Sequence, residues 1–424
     1  MTPLSRRTKY KDSKESSGEA VCDDTRKNMW LKQHSTMDQF LSTTFNRLKT
    51  NNFSELNIVL GNESCDLDSA VSAIVYAMFL NWQYDQIKCK VCTKSHRSDS
   101  EYKDNIFVPL LDVERQDYIL KTEVAYCLGD HGIKESSLVF RDDIDIQTLL
   151  PLHKTNVILV DHHTLAERYS FLAPYVTEVI DHRPYDSKRW PFKEDTRRMI
   201  ETVGSCATLV AQRMKDLSAL IRKDMDFFDA YTSCADLLHC AIVLDTVNFS
   251  KELNKATPHD KEIAEFLEGI LKPDDVQTAR KSKMERLVSA RCDVTSLSAA
   301  QLMRKDVKVV GDVLVPSFPI PVKEFLGKPG ALKAVAEALA GRGCSVALLL
   351  GMRLSPELRR DAAIYGPSDV TKAAKLAEHL QSWTPPFQLS AEELDGCSYF
   401  VQMNLTATRK QYMPVVSEFL RTYQ

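Results

Sequence analysis

The chain has 424 residues, 44% hydrophobic and 27% charged, with a net charge of −3, which suffices for two or three domains with real cores. That balance gives no basic field of the kind that drives nucleic-acid binding, so anionic partners must be met by local clusters of Lys and Arg. No apolar run approaches the roughly 18 residues of a membrane span and the polar N-terminus has no signal-peptide core, so the expectation is a cytoplasmic protein without a membrane or nucleic-acid polymer as partner.

Residues 1–34 are polar and charged, too poor in large apolar groups to build a core, and read as a disordered tail. From Ser35 the pattern changes. Met37, Phe40, Leu41, Phe45 and Leu48 mark one face of a helix, with Ser35 and Asp38 at its capping positions. The β-branched run Asn57–Leu60 then reads as a strand, Gly61 ends it, and Val71, Ile74, Val75, Met78 and Phe79 recur at helical spacing.

Asp66 and Asp68 fall on the loop between that strand and that helix. In an extended segment both would leave the same face and could share cations. Alternatively, Asp66 caps the helix and Asp68 sits in its first turn, where acids are also favoured. Eleven cysteines, an odd number, read as reduced thiols. Cys89 and Cys92 form one C-x-x-C, but with no second pair at zinc spacing QIKCKVCTK reads as a plain strand.

Apolar runs at Ile106–Leu111, Leu138–Phe140, Val157–Val160 and Val176–Ile180, with a helical stretch at Lys121–Leu128, predict crossover units and a mostly parallel sheet. Two of these strands end in acid and histidine: NVILVDHH delivers Asp161, His162 and His163, and VTEVIDHRP delivers Asp181, His182 and Arg183. In a parallel sheet their tips and the Asp66/Asp68 loop converge at the carboxyl edge, where open α/β sheets bind ligands.

GSCAT, from Gly204 to Thr208, suits either close backbone approach to a phosphate or a simple helix start. DLLHCAIVLDTVNF is apolar nearly all round and predicts a buried helix with Asp245 at its end, where a carboxylate wants a partner. Thr257 and Pro258 start another helix, and the charged Lys272–Lys283 fits a linker or linker-proximal helix. Beyond it VKVVGDVLV, Val346–Leu350 and a helix at Met413–Leu420 predict a second, smaller α+β domain.

With LGNESCDLDSA, LVDHH, VIDHRP, GSCATL, LDTVN, LMRKDVK and TRKQYMP in that order, the chain resembles the DHH phosphoesterase superfamily, in its Prune-type exopolyphosphatase branch, related to family II inorganic pyrophosphatases. The likeness runs from about Asn51 to Gln424. It implies an α/β fold: a mostly parallel-sheet DHH domain over 35–270, a linker over 271–283, a DHHA2 domain over 284–424, and an active site in the cleft between them.

Carried over by position, Asp66, Asp68, Asp161, His182 and Asp245 should hold two divalent cations, Mg²⁺ or Mn²⁺, with Asp161 as the bridge. Two ions roughly 3.5–4 Å apart can clamp a phosphoryl group and activate water. Asn62 and Arg183 stand where related pyrophosphatases have histidines, which hardens the ligand set towards Mg²⁺. Arg183 then offers a fork to phosphate and His163 a proton to substrate or leaving group, while His162 is structural and points away from the metals. Lys308, Arg409 and Lys410 match the anion contacts of the second domain, with Arg304 and Lys305 in support, and join Asn62 and Arg183 in the substrate-binding set the resemblance implies.

The activity so implied is release of terminal phosphate from short polyphosphates. The same branch also suggests a phosphodiesterase for cyclic or linear nucleotides. A low-activity regulatory protein, with nucleoside diphosphate kinase or cytoskeletal partners, is the third reading.

Overall fold

The apolar runs of the first half pair into one six-stranded, wholly parallel sheet in the order β3-β2-β1-β4-β5-β6. Its strands are β1 Glu55–Leu60, β2 Ile106–Leu111, β3 Val139–Phe140, β4 Lys154–Val160, β5 Val176–Asp181 and β6 Arg197–Ile200. This is a computed structural model describing residues 36–91, 103–185, 190–221, 226–354, 357–383, 387–394 and 396–423. The tail read at 1–34 and Cys92 of the C-x-x-C lie outside them.

The alternation of β1 explains its place. Val59 packs into one core with the helices Leu67–Val91, Cys206–Ile221 and Thr232–Asp245, whereas Leu56, Ile58 and Leu60 pack into another on the opposite face. A strand buried on both faces is the mark of a parallel sheet covered by crossover helices. β1, β4 and β5 are neighbours, so their carboxyl tips fall side by side.

The first helix, Met37–Lys49, buries Met37, Phe40, Leu41, Phe45 and Leu48 as its spacing requires, each burial stabilising by about 1.5–3 kcal/mol. Its cap, however, is Thr36, whose side chain accepts from Gln39 N at 3.2 Å. Gln86–Val91 is not a strand. The Leu67–Val91 helix runs through Val91, because no Gly or Pro interrupts the stretch and helix propagation wins over the alternation of Ile87, Cys89 and Val91.

Most of the segment read as linker lies in the first half of the helix Val276–Cys292, capped by Asp275, whose carboxylate accepts from Gln277 N and Thr278 N. The second lobe is built on a mixed sheet, β11-β12-β10-β9-β8-β7, in which only β8 and β9 run parallel. These strands are β7 Val307–Val310, β8 Val313–Phe318, β9 Val346–Arg353, β10 Arg359–Tyr365, β11 Leu389–Glu392 and β12 Ser398–Gln402.

A short 3₁₀ turn, Arg115–Leu120, joins the lobes. Leu120 is buried in the core of the second lobe beside Leu302 and Phe318. Around it Arg304 pairs with Asp117 at 3.0 Å, Arg291 with Glu123 at 3.2 Å, and Lys305 donates to the Leu120 carbonyl. Among the described residues no helix is long and apolar enough to cross a membrane.

Candidate active site

The tip of β4 carries the central group. Asp161 is 2% exposed and sits in the left-handed region, φ +61°, which Asp tolerates better than most residues but which still costs energy. Its N–H donates to the Ile180 carbonyl at 2.9 Å, tying the tip of β4 to β5. At the end of β5, His182 Nε2 lies 3.2 Å from Asp161 Oδ1. His182 Nδ1 is 3.0 Å from the Val203 carbonyl, so that nitrogen carries the proton and Nε2 is the one offered to a ligand.

Asp68 approaches from the other side. Its carboxylate accepts from Cys206 N at 2.6 Å and Ala207 N at 2.7 Å, at the start of the Cys206–Ile221 helix. GSCAT is therefore a helix start whose amides hold a carboxylate of the protein itself, not a phosphate. Asp68, Asp161 and His182 each bring a donor atom within 4.8 Å of the others.

Asp66 does not share a face with Asp68. The loop is not extended: Cys65 turns through φ +43° and the helix begins at Leu67, so residues two apart diverge. Asp66 caps that helix, accepting from Ser69 N at 3.1 Å and Ser64 Oγ at 3.0 Å. It lies outside the tightest donor set, as does Asp245, although the Asp66 charge is felt at Asp161. Burial, then repulsion from Asp68 and Asp66, pushes Asp245 well above the usual carboxylate range.

The same forces act on the two central acids. Burial drives Asp161 up to about 7, reinforced by Asp68 and Asp66 and opposed by the His182 bond and Arg183. Asp68 is raised by burial as well, against the His182 charge. Between Asp68 and Asp245 stands Ser205, whose hydroxyl lowers both but whose buried Oγ lacks a hydrogen bond of good geometry. Crowded carboxylates, an imidazole nitrogen turned towards them and a buried hydroxyl without a well-formed hydrogen bond fit a hard divalent cation.

Asn62 and Arg183 both contact Asp161. Asn62 Nδ2 donates to Asp161 Oδ2 at 2.9 Å and to its carbonyl at 3.1 Å, while Ser64 N fixes the amide through Oδ1. The Arg183 guanidinium lies 3.3 Å from Asp161 Oδ1. Asn62 and Arg183 also line a cleft of about 600 Å³, with Lys308 of the second lobe on its far wall. Leu165, Ala166 and Tyr169 also line this cleft.

His162 lines that cleft too. Its Nδ1 donates to the Val160 carbonyl at 2.9 Å, and burial lowers its pKa. His163 binds Asp181 through Nδ1 and meets the Tyr185 ring edge-on, and it lines neither cavity between the lobes. Arg409 and Lys410 are not brought in: Arg409 pairs with Asp306 at 2.7 Å, Lys410 is exposed, and neither lines the two cavities between the lobes. Lys305, with Lys121, Arg291, Asp66 and Asp306, lines the second of these, about 300 Å³.

Asp181 had no assigned role in the sequence. It is fully buried and accepts from His182 N at 2.8 Å as well as from His163, so one carboxylate orients both histidines. Its place in the D-H-R tripeptide was the available signal. Gly204 is a second support. A Cβ there would meet Thr246 Cγ2 at 2.8 Å, and Asp260 Oδ2 and the Lys255 carbonyl at 3.0 Å. Gly204→Ala should therefore displace the Ser205–Ala207 amides that hold Asp68, destabilising by about 1–3 kcal/mol and weakening Mn²⁺ binding. Thermal unfolding and a Mn²⁺ titration check this; unchanged values would mean that the loop yields freely.

A family model described as the DHH family, N-terminal domain, matches residues 57–264, and one described as the DHHA2 domain matches residues 285–419. Exopolyphosphatase PRUNE1 of Rattus norvegicus is 33% identical over 376 residues, which cover 87% of this chain and 76% of that protein. The Homo sapiens protein of the same name is 31% identical over 377 residues, with the same two shares. A solved structure from Methanococcus jannaschii, provisionally assigned as a family II inorganic pyrophosphatase, aligns with a TM-score of 0.45 at 18% identity, covering 86% of this chain and 99% of that one.

Proposed function

The chain belongs to the DHH phosphoesterases, in the Prune-type exopolyphosphatase branch with a C-terminal DHHA2 domain, and from that premise we propose that it releases terminal orthophosphate from short polyphosphates with divalent cations. The observation that carries this reading is the meeting of Asp68, Asp161 and His182 within 4.8 Å at the sheet edge, beside a cleft whose far wall presents Lys308. Those three residues, with Asp245 behind them and Asp66 at the rim, would hold Mg²⁺ or Mn²⁺. A cation there supplies Lewis acidity towards a phosphoryl oxygen and makes water more acidic.

The protein's own groups do the rest. Arg183 and Lys308 bind phosphate oxygens from opposite walls, neutralising charge on the chain that is not cleaved. His163 Nε2 is the proton donor to the departing phosphate, its ring set by Asp181. Asn62 fixes the Asp161 carboxylate and is a positioning residue rather than a substrate contact. Arg409 and Lys410 reach the substrate only if the lobes close, a step that would exchange the Arg409–Asp306 pair for a phosphate contact. We place the protein in the cytoplasm, consistent with free, mostly buried cysteines.

The test is orthophosphate release from tripolyphosphate by the full chain with Mg²⁺ or Mn²⁺. Release that stops in chelator and returns with the cation is expected; none under either cation removes the hydrolase reading. The cleft beside Leu165, Ala166 and Tyr169 favours one second reading, a nucleotide phosphodiesterase. Cyclic AMP hydrolysed faster than tripolyphosphate would put it first. Absence of both activities leaves the regulatory role.

A further inference from the structure

The helix Thr122–Asp130 packs against the buried helix Thr232–Asp245, with Cα atoms of the two coming within 8 Å. A polar pair sets their register. His131, at the C-cap of the first helix, donates from Nδ1 to the Cys127 carbonyl at 2.7 Å and places Nε2 2.9 Å from Asp236 Oδ2 on the second. Cys127 lies one turn before His131 and Cys240 one turn after Asp236, so the two thiols form the next rung of an antiparallel pair. They meet there, the Cys127 S–H donating to the Cys240 sulfur. Both are free, 2% and 5% exposed.

The two sulfurs line a crevice of about 10 Å³, room for one water-sized molecule, together with His131, Asp236, Lys283 and Arg286. Asp236 serves two basic groups at once, His131 and Lys283, while Arg286 lies 3.5 Å from Asp130. The bond from Cys127, helped by the Lys283 charge, holds the Cys240 thiol below its usual range against burial and Asp236. Burial instead pushes Cys65, Cys206 and Cys234 up, which makes them poor nucleophiles.

We propose that Cys127 and Cys240 are a peroxide-sensitive thiol pair that closes to a disulfide within the folded protein. The Cys240 thiolate attacks one oxygen of hydrogen peroxide, the O–O bond breaks, and hydroxide leaves to take up the proton that Cys240 gave away. Cys240 is then a sulfenic acid. The Cys127 sulfur attacks it, the S–O bond breaks, and the departing hydroxide carries off the Cys127 proton as water. Two thiols and one peroxide thus give one disulfide and two waters. The bond ties the helix that follows the interlobe turn Arg115–Leu120 to the helix that ends at Asp245. It needs no phosphate substrate, so it stands or falls apart from the hydrolase reading.

The experiment exposes the reduced full chain, in chelator, to hydrogen peroxide, alkylates it in denaturant without reductant, and maps linked peptides by mass spectrometry. A Cys127–Cys240 link is expected as the main linkage, formed several-fold faster in the folded protein than in urea, with the circular dichroism unchanged. Oxidation of the parent without that link, or a link formed no faster folded than in urea, would overturn the proposal. The parent alone decides this, so a variant that fails to fold leaves the test standing. The order of attack is read from dimedone, a sulfenic-acid trap added with the denaturant. It should label Cys240 in Cys127→Ala several-fold more than Cys127 in Cys240→Ala; the reverse would overturn the assignment of Cys240 as the attacking sulfur.

Discussion

Asp161→Ala is expected to lower metal-dependent phosphate release at least about 10³-fold, which corresponds to about 4 kcal/mol of lost transition-state stabilisation. Among the described residues no other side chain reaches His182, Arg183 and Asn62 at once. Losing it removes a cation ligand, frees the guanidinium and unpairs the Asn62 amide from Oδ2. The fold should survive, since the backbone bond from Asp161 N to the Ile180 carbonyl stays and a buried charge goes. Because Ala fits φ +61° less well than Asp, Asp161→Asn is the cleaner companion: it keeps the shape and the left-handed tolerance and removes only the charge. Both should be inactive and folded by circular dichroism. Activity of either within tenfold of the parent would mean that the reacting phosphate lies elsewhere.

The elements legible in the sequence were those whose signal is local and repeated. Continuous apolar runs named β1, β2, β4 and β5, the 3.6-residue period named the Met37–Lys49 helix, and Thr257 with Pro258 announced the helix Pro258–Leu271, whose capping box is completed by Asp260. The convergence of β1, β4 and β5 followed from parallel topology alone. β6 was not legible, because RRMI is half charged and pairs at the sheet edge without a full apolar face.

At the site, sequence supplied the ligand types but not their directions. For Asp66 and Asp68 the sequence left open a shared face or a cap followed by a first-turn acid, and the turn at Cys65 decides for the second; Arg183 looked like a free phosphate fork until its contact with Asp161 was visible. The work of Cys206 and Ala207 is done by backbone amides, which no residue identity reports. Arg409 and Lys410 matched a motif, yet a single pair with Asp306 is enough to keep the arginine out of the cleft.

Metal-free protein is expected to lose stability steadily as pH rises from about 5 to 9, and added Mg²⁺ should reverse that trend. Burial raises the Asp161 carboxyl from its ordinary 3.8 to about 7, so its contribution is full below 3.8 and is lost as pH rises through 7. His182 moves the same way. Burial pulls the imidazole down, but the Asp161 bond and the Asp68 charge outweigh it and raise the group from 6.5 to about 9. Its contribution is full below 6.5 and is lost as pH climbs through 9.

Both groups bind protons more tightly when folded, so the two losses add rather than cancel. A net loss of stability with rising pH is expected across the window. A cation displaces these protons, so its stabilisation grows with pH. The shift in melting temperature on adding Mg²⁺ should therefore be larger at pH 8.5 than at pH 5.5, both set against the same protein in chelator. Asp161→Asn removes one of the titrating groups and the ligand together, and should flatten both the chelator curve and the Mg²⁺ increment. A parent protein whose stability in chelator rises between pH 6 and 9 would show that these acids are relieved by something other than a cation. The case for a metal centre at the tips of β4 and β5 would then fall.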